Sequence, residues 1–185
     1  MNIRILLIPL IMAAAGCSLG PRQQQPALHD FGVSVSVPLG KQADNALVTV
    51  NAPKWLRDNR IRYRLLYAAP TQVRFYTLDR WLAPPPELFE QQLAASGKML
   101  NYALHIRLLD FEQQFDAPDK ARALLRFYVE AFASDNKILL AAQEISLEKV
   151  TQTADAAGAV SAFADLTRQA GDKIQDWLAR LPDKP

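Results

Sequence analysis

The chain has 185 residues, of which 50% are hydrophobic and 22% are charged. These values are ordinary for a globular protein that buries a core, and the length left after residues 1–16 is that of one domain. The formal net charge of +2 argues against a nucleic-acid binder, and a single cysteine excludes a disulfide within the chain.

The first 16 residues have the pattern of an export signal. A basic residue is followed by the apolar run Ile5–Ala13 and then by small residues. The run is about half as long as a membrane-spanning helix. The stretch Ala14–Cys17 resembles the bacterial lipobox, in which the signal is removed before a cysteine that carries lipid, although Ala14 stands where leucine is preferred. We expect residues 1–16 to be a lipoprotein signal peptide and Cys17 to be the lipid attachment site. An ordinary signal peptide with an incidental cysteine is the alternative.

Residues 17–30 are predicted to form the lipidated N-terminus and a flexible tether. The stretch Pro21–Pro26 is polar, with a proline at each end, and such a composition is typical of a linker. In lipoproteins of this kind an aspartate after the cysteine tends to retain the protein at the inner membrane, and here that residue is Ser18. We therefore expect the periplasmic face of the outer membrane. The folded domain is expected over residues 31–182.

The first half of the domain combines strands with one helix. Apolar residues at alternate positions predict strands at 31–37, 46–51, 61–67 and 72–76. Apolar residues at helical spacing, preceded by prolines suited to a first turn, predict a helix over 86–97.

Three long strands and a helix form the predicted second half. The strands are expected at 102–115, 121–133 and 138–150, and a turn at 134–136. After Leu109 the apolar phase slips onto Phe111, which indicates a bulge. Apolar residues from Val160 to Leu181 recur at steps of three and four, which predicts an amphipathic helix. The fold class is therefore α+β: an antiparallel β-sheet with two main helices on one face, in the order strands, helix, strands, helix.

Few residues point to catalysis. His29 lies in the predicted tether and His105 on the polar face of a strand, and no cluster has the make-up of a metal site. Asp110 and Glu112 share one strand face. A solvated strand face is a simpler interpretation of these two residues than a catalytic carboxylate pair. We therefore predict no enzyme, no metal and no cofactor. A periplasmic hydrolase is the least favoured alternative, and it would need His105 beside a serine and a carboxylate.

Charges and aromatic residues are unevenly distributed. Residues 54–80 have a local net charge of +5, and residues 87–119 have −4. Such a split suits docking between copies or onto a charged partner, and an ordinary mixed surface is the alternative. Trp55 and Trp81 flank the predicted Ile61–Tyr76 hairpin, either as core residues or as interface anchors.

The chain resembles the ABC-type transport auxiliary lipoproteins, the PqiC-like family. The resemblance is carried by Ala52–Leu56, by Ile61–Arg64 and by Arg80–Pro85. At these places the family has a "P-x-x-L", an "I-x-Y-R" and a tryptophan followed by proline that opens the first helix. Leu82 and Ala83 depart from the pattern, since many relatives carry a polar residue there. The order of the elements and the lipobox also agree, so the resemblance covers nearly the whole chain.

This resemblance implies a non-enzymatic part in lipid transport between the inner and outer membranes. Such lipoproteins act with an MCE-domain protein and its inner-membrane permease, often with an ATPase. They dock or anchor the MCE tube at the outer membrane, where a homo-oligomeric ring is one form. A free-standing carrier with an acyl chain between sheet and helices is the alternative.

The arginine-rich hairpin is the expected contact with the partner or a neighbouring copy. The candidate residues are Trp55, Arg62, Arg64 and Trp81, of which the two tryptophans would order the hairpin. On this hypothesis, charge reversal at Arg62 and Arg64 weakens assembly without unfolding the domain.

Overall fold

A computed structural model of the chain describes residues 24–32, 48–95, 102–133 and 137–181. The predicted signal peptide, Cys17 and the predicted turn at 134–136 lie outside these ranges, as does the predicted strand from Val33 onward. The described part is an α+β fold with a seven-stranded sheet and two α-helices.

The strands are β1 (Ala27–His29), β2 (Val48–Asn51), β3 (Arg60–Leu65), β4 (Val73–Trp81), β5 (Ala103–Ala117), β6 (Lys120–Phe132) and β7 (Leu139–Val150). The helices are α1 (Pro85–Ala95) and α2 (Ala156–Leu178), and a short 3-10 helix, Lys54–Leu56, lies between β2 and β3. The predicted order of strands and helices therefore holds only if the 3-10 helix is left out.

The sheet is mixed, so the predicted antiparallel sheet is confirmed only in part. The strand order is β1-β4-β3-β5-β6-β7, and β2 pairs with β5 beside β3. The pairs β3–β4, β5–β6 and β6–β7 are antiparallel, whereas β1–β4, β2–β5 and β3–β5 are parallel. Strands β4 and β5, which flank α1, run in opposite directions, because β3 is antiparallel to β4 and parallel to β5. Alternating apolar residues carry no information on this direction.

Strand β1 lies inside the range that the sequence assigned to the tether. Its three residues pair with Asp79–Trp81 of β4, and His29 Nε2 lies 2.8 Å from Asp79 Oδ1. Phe31 is buried against Trp81, with their ring centres 5.4 Å apart. The folded part therefore begins before the predicted start at Phe31.

Both helices pack on one face of the sheet, as predicted. The Phe89 ring of α1 lies 5.4 Å from that of Phe127, and the Phe163 ring of α2 stacks on Phe111 at 3.9 Å. Small buried residues line the contact between α2 and the sheet: Ala123, Ala131, Ala159, Ala162 and Ala170. Side chains of this size allow a helix to approach closely and leave little free volume. Within the described ranges, neither helix combines the length and the apolar character needed to cross a membrane.

The predicted bulge in β5 is confirmed. The register between β5 and β6 shifts between Leu108 and Asp110. As a result Leu108 and Phe111 are both buried in the core. Asp110 meets Arg126 of β6 instead, with Arg126 Nε 2.6 Å from Asp110 Oδ2.

Candidate partner-binding surface

The loop at residues 52–59, between β2 and β3, presents Trp55 at the surface. Leu56 is fully buried and holds the 3-10 helix against the core, and its amide donates to the carbonyl of Pro53 at 2.9 Å. Trp55 is 54% exposed. A large exposed aromatic side chain next to a well-anchored residue is typical of an interface anchor.

Arg62 is buried beneath this loop. Its side chain is 3% exposed, and Nη2 lies 2.8 Å from Asp58 Oδ2. The same nitrogen donates to the main-chain carbonyl of Trp55. Burial lowers the pKa of Arg62, and the charge of Asp58 opposes this shift. The structure therefore places the guanidinium of Arg62 inside the protein's own loop and not on the surface where a partner would meet it.

Asp58 is shared between Arg62 and Arg60. Arg60 Nη2 lies 2.7 Å from Asp58 Oδ2, and the Arg60 guanidinium carbon lies 3.7 Å from the centre of the Phe75 ring. Burial raises the pKa of Asp58, but the hydrogen bonds from Arg60 and the charges of Arg62 and Arg60 outweigh it, so that the net pKa is lowered. Asp58 is thus ionised at neutral pH and ties the loop to β3.

Arg64 forms a bidentate ion pair with Glu112 within the sheet. Its Nε lies 3.0 Å from Glu112 Oε1 and its Nη2 lies 3.1 Å from Oε2, while Nη1 donates to the carbonyl of Pro70 at 2.9 Å. The hydrogen bonds to Glu112 raise the pKa of Arg64. One arginine of the basic range is therefore neutralised by a glutamate of the acidic range, which reduces the charge split available for docking.

Trp81 is a core residue. It is 1% exposed, and its ring centre lies 5.4, 5.7 and 5.9 Å from those of Phe31, Phe111 and Phe163. This is the core alternative given for Trp81, and it leaves the indole no direct contact with a partner in the described structure. Of the four candidates, the structure leaves Trp55 at the surface and Arg64 partly accessible, with 23% of its side chain exposed.

A surface groove of about 570 Å³ lies beside Trp55. We call it the Trp55 groove; its lining residues are Asn51, Ala52, Pro53, Trp55, Arg57, Arg107, Leu109, Asp110 and Arg126. Three arginines and one aspartate give the lining a formal charge of +2. An exposed indole beside a basic wall suits an acidic segment that also carries an apolar side chain.

The arginines of the Trp55 groove were missed from the sequence because they come from separate segments. Arg57 follows the 3-10 helix, and its Nε donates to the carbonyl of Ala52 at 2.7 Å. Arg107 comes from β5 and lies 5.7 Å from the centre of the Tyr128 ring, and Arg126 comes from β6. Only the pairing of β2, β5 and β6 brings them together.

In the described part of the chain, the two histidines do not have the contacts that the hydrolase alternative requires, which are a serine and a carboxylate beside His105. His29 pairs with Asp79, and the His105 ring packs on Phe132 at 4.7 Å. Ser161 of α2 and His29 line the same groove of about 550 Å³, but no hydrogen bond joins them in the described structure. Among the described residues there is no group of three histidine, cysteine, aspartate or glutamate residues that could hold a metal ion.

Comparison with solved structures shows that this fold occurs in other proteins. The crystal structure of protein XCC0632 from Xanthomonas campestris, described as a DUF330 protein, matches with a TM-score of 0.62 at 17% identity, over 71% of this chain and 80% of that one. The crystal structure of an uncharacterized protein matches with a TM-score of 0.59 at 15% identity, over 71% and 88%.

A protein from Caulobacter crescentus CB15, described as a candidate lipoprotein, reaches a TM-score of 0.40 at 12% identity, over 76% of this chain and 94% of that one. At that TM-score the match carries no inference. No family model and no curated protein sequence matches the chain. At these identities the first two matches establish a shared fold: the chain has the same α+β architecture as the DUF330 protein.

Proposed function

We propose that this protein is a lipoprotein, anchored through Cys17 to the periplasmic face of the outer membrane. In this proposal it is a non-enzymatic auxiliary component of an MCE/ABC-type lipid transport system. The described domain docks the MCE-domain protein, whose permease lies in the inner membrane. The observation that carries the proposal is that the three segments of the family resemblance meet in one structural unit.

That unit is the junction of the 3-10 helix, β3, β4 and α1. Leu56 and Ile61 are both fully buried, and Trp81, the last residue of β4, is buried in the same core. The Trp81 amide donates to the carbonyl of Asn59 at 2.8 Å, which joins the loop to β4. Pro85 then begins α1. The three segments of the family resemblance build one junction, which supports the architecture that the resemblance implies. The fold shared with the DUF330 protein is consistent with that architecture.

The Trp55 groove is the proposed docking surface for the MCE-domain protein. Trp55 supplies an exposed apolar anchor, and Arg57 and Arg107 supply positive charge. Arg62 contributes from inside the protein. Its guanidinium donates to the main-chain carbonyl of Trp55 and to the carboxylate of Asp58, and these bonds set the path of the loop. Basic charge at the wall speeds association with an acidic partner, and the Trp55 indole supplies most of the affinity once the partner buries it.

A free-standing lipid carrier is less well supported. It requires an apolar cavity between sheet and helices, and the small side chains of β6 gave room for one in principle. In the structure, Ala123 and Ala131 are fully buried against the core that α2 completes. The Trp55 groove and the groove beside His29 both have charged residues in their walls. These contacts favour close packing over a lipid cavity.

Purification of the lipidated protein from membranes under mild crosslinking, followed by mass spectrometry, tests the proposal. We expect an MCE-domain protein and a permease to be recovered with it. Trp55→Ala should reduce their recovery. Leu78→Ala is the matched control, since Leu78 is 48% exposed and lies outside the Trp55 groove. Recovery of phospholipid without these proteins would contradict the adaptor function and favour the carrier.

A further inference from the structure

We propose that the turn between β3 and β4 rests on the membrane surface and that the opposite end of the sheet points away from it. We call residues 66–72 the β3–β4 turn. The inference rests on the proposed lipid anchor at Cys17, and it adds the orientation of the domain on the bilayer and the residues that touch lipid.

The direction of β1 carries the inference. Strand β1 is parallel to β4, with Ala27 opposite Asp79 and His29 opposite Trp81. The chain that precedes Ala27 therefore leaves the sheet toward the beginning of β4, which is Val73. The β3–β4 turn lies immediately beyond that residue. The described N-terminal end of the chain thus lies at the edge of the sheet, on the side of this turn.

The tether is long enough for the turn to reach the bilayer. Asp79 and Val73 are six residues apart along β4, which is at most about 20 Å. Cys17 and Ala27 are ten residues apart, which is at most about 35 Å. The lipid can therefore lie beyond the turn without any reversal of the chain. A membrane at the opposite end of the sheet would require the chain between Cys17 and Ala27 to reverse its direction.

The turn also has the composition of a membrane contact. Residues 65–73 contain no charged side chain. Tyr67 is 48% exposed and Val73 is 39% exposed, and Arg74 follows directly. Tyrosine and small apolar residues suit the boundary between headgroups and acyl chains, and a neighbouring arginine suits anionic headgroups.

Hydrogen bonds hold the turn in a defined shape. The Ala69 amide donates to the carbonyl of Leu65 at 2.8 Å, and the Leu66 amide donates to the carbonyl of Phe115 at 2.9 Å. Arg64 Nη1 donates to the carbonyl of Pro70 at 2.9 Å. The turn therefore presents Tyr67 without a large entropic cost on contact with lipid.

This orientation leaves the Trp55 groove accessible to a partner in the periplasm. Strand β3 runs from Arg60 to Leu65 toward the turn, and the loop with Trp55 precedes it. Trp55 is therefore separated from the turn by the length of β3, about 20 Å for six residues. One end of β3 touches lipid and the other bears the docking surface.

Spin labels on three single-cysteine variants test the orientation. A lipid-modified Cys17 does not react with a thiol reagent, so that an introduced cysteine is labelled alone. We would label Ala68→Cys in the turn, with Thr71→Cys as a second position, and Ile138→Cys as the control. Ile138 is 58% exposed and precedes β7, at the opposite end of the sheet. The lipidated full chain is placed on vesicles of phosphatidylethanolamine and phosphatidylglycerol.

We expect the labels at 68 and 71 to collide several-fold less often with a water-soluble nickel complex than the label at 138, and more often with oxygen. Equal collision rates at the three positions, or shielding of the label at 138 alone, would overturn the orientation. The intact mass of each sample separates the two proposals. A protein without lipid would overturn the anchor and the orientation together, whereas a lipidated protein with exposed labels at 68 and 71 would overturn the orientation alone.

Discussion

The guanidinium of Arg62 donates to the main-chain carbonyl of Trp55, so that a buried cation positions the most exposed tryptophan of the described residues. The same guanidinium lies 2.8 Å from Asp58. Arg62 is thus a positioning residue for the proposed docking surface, and we expect its substitution to act on the fold before it acts on any partner.

Removal of the Arg62 side chain should destabilise the domain. Arg62→Ala leaves the carbonyl of Trp55 and one side of Asp58 without a partner, and we expect a loss of about 2–3 kcal/mol in the free energy of unfolding. Urea denaturation measures this loss. Arg74→Ala is the control, because Arg74 is exposed and its side chain bonds Gln72 alone among the described side-chain hydrogen bonds; it should cost less than about 0.5 kcal/mol. Equal midpoints for the two variants would contradict the role given to Arg62.

Substitutions at Trp55 and Trp81 should separate effects on stability from effects on binding. Trp81→Ala removes a fully enclosed indole, and we expect a cost of about 3–5 kcal/mol. Trp55→Ala removes an exposed side chain, and its cost should stay below about 0.5 kcal/mol. Thermal and urea unfolding of both variants check this. A large loss of stability in Trp55→Ala would show that Trp55 is a structural residue and not a docking anchor.

Two glycines of α2 should respond in opposite ways to alanine. A Cβ atom at Gly158 would clash with the carbonyl of Thr153 and lie 2.8 Å from its Oγ1, whereas one at Gly171 would lie 3.7 Å from Leu93 Cδ2, an ordinary contact. We expect Gly158→Ala to lower the free energy of unfolding by about 2 kcal/mol. Gly171→Ala should raise it by up to about 1 kcal/mol, because alanine has the higher helix propensity. Melting temperatures that shift in the same direction would be inconsistent with this packing.

The cap of α2 should contribute a pH-dependent term to stability. Asp155 accepts hydrogen bonds from Thr153 Oγ1 at 2.6 Å and from the Gly158 amide at 2.8 Å, and these bonds lower its pKa from 3.8. Because the folded pKa lies below the unfolded one, the stabilisation is complete above pH 3.8 and is lost as the pH falls through the folded value.

Asp155→Asn keeps a side-chain acceptor for the cap and removes the titration. At pH 7 we expect it to be less stable than wild type by about 0.5–1 kcal/mol, since the charge at the helix N-terminus is lost. The difference should shrink as the pH is lowered below 3.8. Urea titrations at several pH values measure it. A difference that stays constant down to pH 2 would mean that Asp155 is not held ionised by the cap.

The long, strongly patterned elements could be predicted from the sequence. Strands β5, β6 and β7, both helices and the bulge beside Leu109 follow from the spacing of apolar residues. Strand β1 could not be found, because three residues are too few to show alternation. The parallel pairs could not be found either, because the pleat places side chains on alternate faces whatever the direction of the neighbouring strand.

The candidate surface was predicted only in part, for a different reason. Trp55, Arg62 and Trp81 were chosen as large or charged residues near one hairpin, but a sequence does not show which of them the loop encloses. Burial separates Trp55 at the surface from Arg62 and Trp81 inside. Arg107 and Arg126 join the site through strand pairing across distant segments, which local pattern does not reveal.

The most direct measurement is photo-crosslinking in cells with benzoylphenylalanine in place of Trp55. The same residue in place of Leu78 is the control, since Leu78 has a similar exposure and lies outside the Trp55 groove. Mass spectrometry identifies the crosslinked protein. We expect an adduct with an MCE-domain protein from position 55 and none from position 78. No such adduct from position 55, or equal adducts from both positions, would contradict the docking function proposed for this surface.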